Sequence, residues 1–194
     1  EYKTTQKPKV VLTWAPHPKA LPHAVPNSFI KMMQLANVDF IITHPEGYEL
    51  NPEVTKNSTV THNQEEAFKD ADFIYAKNWS NYNDYGQILS QDAAWMVTPE
   101  KMALTKNGQI MHCLPVRRNV ELIDDLLDGP NSLVQRQAGN RVVAFGIAAI
   151  VLILLAAALF LFLNLPDANA FNARVERIFV ENNDLRAGAE IKLL

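Results

Sequence analysis

The sequence has few of the features that mark secreted or nucleic-acid-binding proteins. A single cysteine occurs among its 194 residues, so no internal disulfide can form and nothing indicates an oxidising compartment. Lysine and arginine number 18 against 21 acidic residues, and without a basic run there is no electrostatic footprint for nucleic acid. Residues 1–5 are polar and lack the apolar core of a secretory signal. We therefore expect a cytoplasmic protein that does not bind nucleic acid.

Charged and polar side chains are also missing from residues 142–163. A helix rises about 1.5 Å per residue, so this segment is long enough to cross a bilayer core of roughly 30 Å. One interpretation is a helix that spans a membrane or attaches to it, and the other is a helix buried in a larger assembly. Arg136 and Arg141 come before the segment, while Arg174 and Arg177 follow it. The nearer arginines favour attachment with the folded part on the inner face of the membrane.

Short apolar runs alternate with amphipathic or capped segments over the rest of the chain. This alternation predicts an α/β fold, a doubly wound and mostly parallel sheet with flanking helices, followed by a long apolar helix. Three regions result: a folded domain at 1–141, the apolar helix at 142–164 and a charged, helical tail at 165–194. The predicted strands are 9–13, 39–43, 58–61, 72–76, 108–111 and 132–134. Helices are expected after Ser28, after Asn63, from Pro99 to about Asn107, over 124–127 and from Asn140.

Polar side chains capable of binding a ligand follow several of these strands. His17, Lys77, Cys113 and Arg141 each come after a predicted strand or its terminal loop. In an open α/β sheet the ligand site forms at the carboxyl ends of the strands. These four residues should therefore meet at one edge, although they are far apart in the sequence. His44 also follows a strand, and we expect it to be structural.

The densest cluster of such residues is the stretch from Met111 to Asn119, where His112 and the cysteine precede Arg117 and Arg118. Two guanidinium groups after a proline turn suit a carboxylate or phosphate ligand. The alternative is a solvated basic turn with one buried thiol. A nucleophile pair of Cys113 and His112 is disfavoured, because adjacent residues on a strand point to opposite faces.

The run His-Cys-Leu-Pro-Val-Arg-Arg-Asn at 112–119 resembles the motif of the acylornithine carbamoyltransferases, which are transcarbamylases. Three further stretches agree with that family in the same order, at 13–18, 75–79 and 137–141. The resemblance runs from about Lys7 to Arg141. It covers the second, ornithine-binding domain of such an enzyme, and residues 165–194 resemble no family.

The resemblance implies transfer of a carbamoyl group from carbamoyl phosphate to the side-chain amine of N-succinyl- or N-acetylornithine, as in arginine biosynthesis. It implies no cofactor, no metal and no catalytic residue independent of the first domain, whose Ser-Arg-Thr-Arg phosphate loop we do not find here. The family's enzymes are homotrimers whose sites borrow residues from a neighbouring subunit, so this chain alone is expected to be inactive. Carbamoyl-phosphate-binding roles fall to Cys113, the Leu114 carbonyl and Arg141, and acylornithine-binding roles to His17, Lys77 and Arg117.

Glu121 bears on the acyl group, because some acetylornithine enzymes have a modified lysine at this position. Its presence favours succinylornithine over acetylornithine. A second hypothesis is a non-catalytic, membrane-tethered domain that binds an amino acid. A third is a single-pass membrane protein with an unrelated soluble part, which would bind no acylornithine.

Overall fold

The computed structural model describes residues 7–164 and 173–180 of the chain. It divides into two compact units, Glu1–Val142 and Val143–Leu194. The first unit contains the sheet and all the candidate site residues that the structure describes. The second contains most of the apolar segment and a helical segment at 173–180.

Five strands form one sheet in which every pairing is parallel. Their spatial order is β3-β2-β1-β4-β5, so the first strand in sequence lies in the middle. β-Branched and aromatic residues fill the central strands, as is typical of parallel sheets covered on both faces. The strands are β1 (Lys9–Trp14), β2 (Asp39–Thr43), β3 (Thr59–Thr61), β4 (Phe73–Lys77) and β5 (Gln109–Met111).

Successive residues of the central strands point to opposite faces and bury two separate cores. Val11 and Ile74 lie in one core, together with Phe68. Leu12 and Tyr75, one residue further along each strand, lie in the other. The sheet is therefore covered by helices and loops on both faces, and the predicted doubly wound parallel fold is confirmed.

The helices of the first unit are short, apart from the first and the last. The Asn63 side chain caps one helix as expected, since it accepts a hydrogen bond from the Glu66 amide at 3.0 Å. A proline opens the helix after Thr98 as expected, but the Thr98 side chain makes no capping hydrogen bond. The helices are α1 (Ala24–Leu35), α2 (Pro52–Thr55), α3 (Gln64–Phe68), α4 (Pro99–Met102), α5 (Asp124–Leu127) and α6 (Val134–Asn164), with a 3-10 turn at Ala93–Trp95.

The predicted last strand at 132–134 and the predicted start of the final helix at Asn140 are both wrong. Ser132 makes only an isolated bridge to Ile110, and the Leu133 amide donates to the Ile110 carbonyl at 2.8 Å. Pairing with β5 thus ends after one residue. Val134 then begins α6 and is buried against the first core. The short run 132–134 therefore contains both the bridge to β5 and the start of a helix.

Two other helix ends also differ from the sequence prediction. α1 begins at Ala24 and not after Ser28, because Pro26 falls in the first turn, where the missing N–H of proline costs no hydrogen bond. α4 ends at Met102 and does not reach Asn107. The Thr105 hydroxyl accepts a hydrogen bond from the Gly108 amide at 2.8 Å. Residues after Met102 therefore form a loop where a last helical turn was predicted.

The long apolar helix is present as α6, and its side chains from Val142 to Leu163 are exposed wherever the structure describes them. Val134–Leu161 is long and apolar enough to cross a membrane by length and composition. In the tail, Val175, Ile178 and Phe179 lie in the helical segment 173–180, as their spacing predicted. Phe171, the fourth residue of that pattern, lies outside the described residues.

Candidate functional site

The strand order reverses between β1 and β4, at the centre of the sheet. From β1 the chain moves outward through β2 and β3, then returns to place β4 on the other side of β1. The loops that leave β1 and β4 therefore diverge and open a crevice at the carboxyl ends of these strands. His17 follows β1, and Lys77 is the last residue of β4.

A cavity of about 520 Å³ lies at this crevice. Its volume is typical of sites for small organic molecules. The wall consists of the loop after β1, the start of α1, the last residue of β4 and the loop after β5. The structure therefore brings together five of the predicted site residues from distant parts of the sequence. The lining residues are His17, Leu21, Pro22, Ala24, Val25, Lys77, Cys113, Leu114, Pro115, Val116 and Arg117.

The His17 imidazole is held by the backbone of its own loop. Its Nδ1 lies 2.9 Å from the Lys19 amide nitrogen and 3.0 Å from the Lys19 carbonyl oxygen. In either tautomer Nδ1 is therefore engaged, and Nε2 is the ring nitrogen available to a ligand. Pro16 and Pro18 flank the residue and restrict the backbone on both sides.

Lys77 is an almost wholly buried lysine, with 7 % of its surface exposed. Its backbone belongs to β4, in register with Trp14 of β1, while its side chain reaches the cavity wall. A buried ammonium group is costly without a compensating negative charge. The nearby Glu121 carboxylate supplies part of that charge, and an anionic ligand in the cavity would add to it.

Two fully buried residues, His112 and Glu121, make hydrogen bonds to the backbone of the loop after β5. The Leu114 amide donates to His112 Nδ1 at 3.0 Å, so Nε2 carries the proton in the neutral ring and faces Glu121 Oε1 at 3.4 Å. The other oxygen of Glu121 accepts the Arg117 amide at 2.7 Å. The pair therefore fixes both ends of the Leu114–Arg117 turn, in which Leu114 has a φ of +51°.

Burial opposes the negative charge of Glu121, yet its pKa lies below the ordinary value. The hydrogen bond and charge of His112, the Arg117 amide and the nearby Lys77 ammonium group outweigh desolvation. Glu121 is thus a carboxylate at neutral pH. Because it does not line the cavity, any influence on a bound ligand would pass through Arg117 and Lys77.

The two adjacent arginines occupy different environments. Arg117 lines the cavity. Arg118 instead donates to Asp128 at 2.7 and 2.9 Å and to Asp124 at 2.9 Å, and this pairing holds the pKa of Asp128 below its usual range. Only one of the two guanidinium groups is therefore directed at the site, and the other secures α5 to the loop.

His44 is not part of the cavity wall. Arg141 lies in α6, and its side chain is outside the described residues. His44 is buried beside Trp79 and His62, and burial lowers its pKa from the ordinary value. Its Nδ1 bonds the Pro45 carbonyl at 2.9 Å, so His44 has the structural environment expected from the sequence.

Sequence reasoning missed the apolar half of the wall. Leu21 and Pro22 precede α1, Ala24 and Val25 form its first turn, and all four line the cavity together with Val116. Neither helical nor strand periodicity marks them. The run of prolines from Pro16 to Pro26 was the available signal, because it indicates a rigid loop of some length.

A buried ammonium, a guanidinium and an imidazole facing an apolar wall suit an elongated organic anion with a hydrogen-bonding group. Carboxylates can pair with Lys77 and Arg117, and methylene groups can lie on the apolar wall. In the described part of the chain no three His, Cys, Asp or Glu side chains cluster as metal ligands would. The arrangement supports binding and orientation of a ligand.

Known proteins resemble this chain in sequence and in fold. Residues 23–153 match the family model "Aspartate/ornithine carbamoyltransferase, Asp/Orn binding domain". The N-succinylornithine carbamoyltransferase of Bacteroides thetaiotaomicron is 56 % identical over 143 residues, 73 % of this chain and 45 % of the relative. The N-acetylornithine carbamoyltransferase of Xylella fastidiosa is 36 % identical over 151 residues, 69 % of this chain and 45 % of the relative. This chain thus spans less than half the length of these relatives.

Solved structures of N-acetyl-L-ornithine transcarbamylases have the same architecture. A mutant complexed with carbamyl phosphate and N-succinyl-L-norvaline superposes with a TM-score of 0.66 at 34 % identity, covering 71 % of this chain and 47 % of that one. A complex with acetylcitrulline gives the same TM-score and identity, covering 71 % and 46 %. The family match continues to residue 153, into the apolar helix, and does not end at Arg141. The chain therefore belongs to the aspartate/ornithine carbamoyltransferase family, with residues 23–153 as its Asp/Orn binding domain.

Proposed function

We propose that this chain supplies the amino-acid-binding half of an acylornithine carbamoyltransferase. The supporting observation is the convergence of Lys77, Arg117 and His17 on one cavity at the reversal of strand order. Lys77 and Arg117 pair with carboxylates of the acylornithine, and His17 bonds its amide through Nε2. The side-chain amine then lies towards Cys113 and Leu114.

The reaction is attack of a neutral amine on the carbonyl carbon of carbamoyl phosphate, with phosphate as the leaving group. A C–N bond forms, the C–O bond to phosphate breaks, and the amine proton leaves with the products. Cys113 and the Leu114 carbonyl hold the carbamoyl group, and Arg141 pairs with the phosphate. Fixed positive charge stabilises the negative charge that develops on the carbonyl and phosphate oxygens, and orientation of two bound substrates supplies much of the remaining acceleration.

N-Succinylornithine is the favoured acceptor. The identity to the Bacteroides succinylornithine enzyme, 56 %, exceeds the 36 % to the Xylella acetylornithine enzyme. A succinyl group also adds a second carboxylate, and the cavity presents two cationic side chains. Glu121 contributes indirectly, because it is buried beneath the turn that contains Arg117.

Carbamoylation assays test the proposal. The full chain is assayed with carbamoyl phosphate and N-succinyl-L-ornithine, alone and mixed with a separately produced first domain of the Bacteroides relative. The active enzyme is proposed to be a cytoplasmic homotrimer of two-domain subunits. We therefore expect activity only on mixing, with more product from succinylornithine than from acetylornithine. Absence of activity in the mixture, together with absence of acylornithine binding, would contradict it.

A second candidate function is a non-catalytic, membrane-tethered binding domain. The observation that favours it is α6, whose described side chains from Val142 onward are exposed and apolar around the whole helix. The arginines before this segment favour attachment to the inner face of a membrane. Acylornithine binding by vesicle-bound chain, with no carbamoylation after mixing, would favour this function over the enzymatic one.

A further inference from the structure

We infer that Asn78 is a positioning residue of this site, an inference that rests on the proposed function. Its side-chain amide replaces the next backbone hydrogen bond of the β1–β4 ladder and fixes the His17 loop beside Lys77. Asn78 is itself outside the cavity wall. It acts through the two residues that line it.

The regular ladder between β1 and β4 ends at the pair Trp14 and Lys77. One more backbone bond follows, from the Ala15 amide to the Lys77 carbonyl at 3.2 Å. If parallel pairing continued, the Ala15 carbonyl would next accept the backbone amide of Trp79. The strands diverge at this point to open the crevice, so that bond needs another donor.

Asn78 provides the donor, because its Nδ2 lies 2.7 Å from the Ala15 carbonyl oxygen. Ala15 is fully buried and Asn78 is 3 % exposed, so water does not compete for this bond. The two residues are 63 positions apart in the sequence. The amide thus joins the first residue after β4 to the first residue after β1.

The clasp of Ala15 and Asn78 lies directly beside the site residues. Asn78 follows Lys77, and only Pro16 separates Ala15 from His17. The position of the imidazole relative to the ammonium group therefore depends on the hydrogen bond that Asn78 donates.

The side-chain chemistry at this position is specific. The Asn78 Oδ1 atom is buried and has no hydrogen-bond partner among the described residues, so the donor nitrogen is the atom that the clasp uses. Asn78→Asp preserves the shape of the side chain but replaces the donor with an oxygen that faces the Ala15 carbonyl. The two acceptors repel each other, and the clasp opens without loss of volume.

The test compares Asn78→Asp and Asn78→Ala with the unaltered full chain in detergent micelles. The measured quantities are hydrogen exchange at the Ala15 amide, the imidazole ¹H–¹³C resonances of His17 assigned with a His17→Ala variant, and the Kd for N-succinyl-L-ornithine. We expect faster Ala15 exchange, a shifted His17 resonance and a Kd raised on the order of tenfold in both variants.

Two matched controls separate positioning from general destabilisation. Asn57→Ala removes an exposed asparagine remote from the site and should change nothing. Thr43→Ala truncates a buried residue at the end of β2 whose hydroxyl has no hydrogen-bond partner among the described residues. Loss of its buried methyl group should lower the Tm while leaving the His17 resonance and the Kd unchanged.

Unaltered His17 resonances and Kd in both Asn78 variants would overturn the inference, as would equal shifts in Thr43→Ala. If the unaltered chain does not bind N-succinyl-L-ornithine, the proposed function fails. The Ala15 exchange and His17 resonance, which need no ligand, then still decide whether Asn78 positions the loop.

Discussion

Arg117 and Arg118 are neighbours with the same side chain, and the fold gives them opposite surroundings. Arg117 lines the cavity, whereas Arg118 pairs with Asp124 and Asp128 at the surface. The exposed ion pairs of Arg118 contribute little to stability.

Arg117→Gln should raise the Kd for N-succinyl-L-ornithine at least about tenfold, because one carboxylate of the ligand loses its partner.

Arg118→Gln is the matched control. It should leave that Kd unchanged, lower the Tm slightly and return the pKa of Asp128 towards its ordinary value. Calorimetric titration and thermal unfolding of both variants provide the measurements. Equal effects of the two substitutions on binding would contradict this division of roles.

Glu121 provides a prediction about pH. Its folded-state pKa is lower than the ordinary value of 4.5, so its stabilising effect is complete above that value. The effect is lost as the pH falls through the folded-state pKa. Unfolding of the intact chain should therefore become easier below about pH 4.5.

Glu121→Gln tests the same group at neutral pH. His112 and the Arg117 amide bond different oxygens of Glu121. Glutamine has an NH₂ group in place of one of these oxygens, so one of the two donors would face another donor. We expect a loss of about 1.5–3 kcal/mol in the free energy of unfolding and a weaker dependence on acid. Glu46→Gln, at an exposed position, should change neither quantity. A Glu121 variant as stable as the parent would disprove the structural role of this carboxylate.

Candidate site residues at strand ends could be predicted from the sequence, because the pattern that identifies a strand also locates its carboxyl end, where ligands bind. His17, Lys77 and Cys113 were found in this way. Glu121 was singled out only by resemblance, and its contact with His112 was not foreseen. The two residues are separated by an irregular loop, and no periodic pattern relates them. Asn78 was hidden for a different reason: its role depends on the point at which two strands stop pairing.

At the scale of elements, Tyr48 connects the loop after β2 to the loop after β4. Its hydroxyl accepts the amides of Leu89 and Ser90 at 3.0 and 2.7 Å and lies 3.0 Å from the Ser90 carbonyl. Its carbonyl accepts the Trp79 indole N–H at 2.8 Å. One residue thus secures a loop that has little regular structure of its own.

Tyr48→Phe should remove the acceptor of the Leu89 and Ser90 amides, at a cost of about 0.5–1.5 kcal/mol per hydrogen bond. Hydrogen exchange at Leu89 and Ser90 should accelerate more than exchange in β1. Tyr82→Phe, at an exposed position of the same loop, serves as control and should have no such effect. Unchanged protection at Leu89 in the Tyr48 variant would show that the loop is held by other contacts.

The apolar part of α6 provides the second element-scale prediction. Leu152 lies near its middle and is 67 % exposed. A lysine at the centre of a membrane helix costs about 2.5–3.5 kcal/mol. If lipid surrounds this helix, the intact chain should float with phosphatidylcholine–phosphatidylglycerol vesicles, and Leu152→Lys should reduce the floating fraction.

Leu152→Met, which keeps the volume and apolar character, should float like the parent. A parent chain that remains at the bottom of the gradient would contradict the membrane proposal and favour burial of α6 in a protein assembly.

Helices and strands were predicted correctly where local residues marked both of their ends. β2 and α5 occur where the sequence placed them, because apolar runs and turn residues marked both ends. The short run at 132–134 was assigned to a strand, since propensity cannot show that only one residue finds a partner. α1 began early because a proline is compatible with the first helical turn. Boundaries were wrong where tertiary contacts decided them.

In the molecule as a whole, the topology of the sheet determines where the candidate site lies. The order β3-β2-β1-β4-β5 reverses beside β1, and the reversal creates the crevice for which Lys77 supplies a buried charge. The fold class was predictable from alternation alone. The proposed acceptor, an acylated amino acid, came from motif resemblance, and the apolar wall proposed to contact its methylene groups required the structure.

Titration of the full chain with N-succinyl-L-ornithine, for the parent and Lys77→Met, shows whether the cavity at the reversal of strand order binds this anion. We expect saturable binding of one molecule per chain by the parent and a Kd at least about tenfold higher for Lys77→Met, because a buried ion pair is lost. Lys106→Met, at an exposed position, should bind like the parent. Absence of binding by the parent, or equal binding by Lys77→Met, would contradict the account.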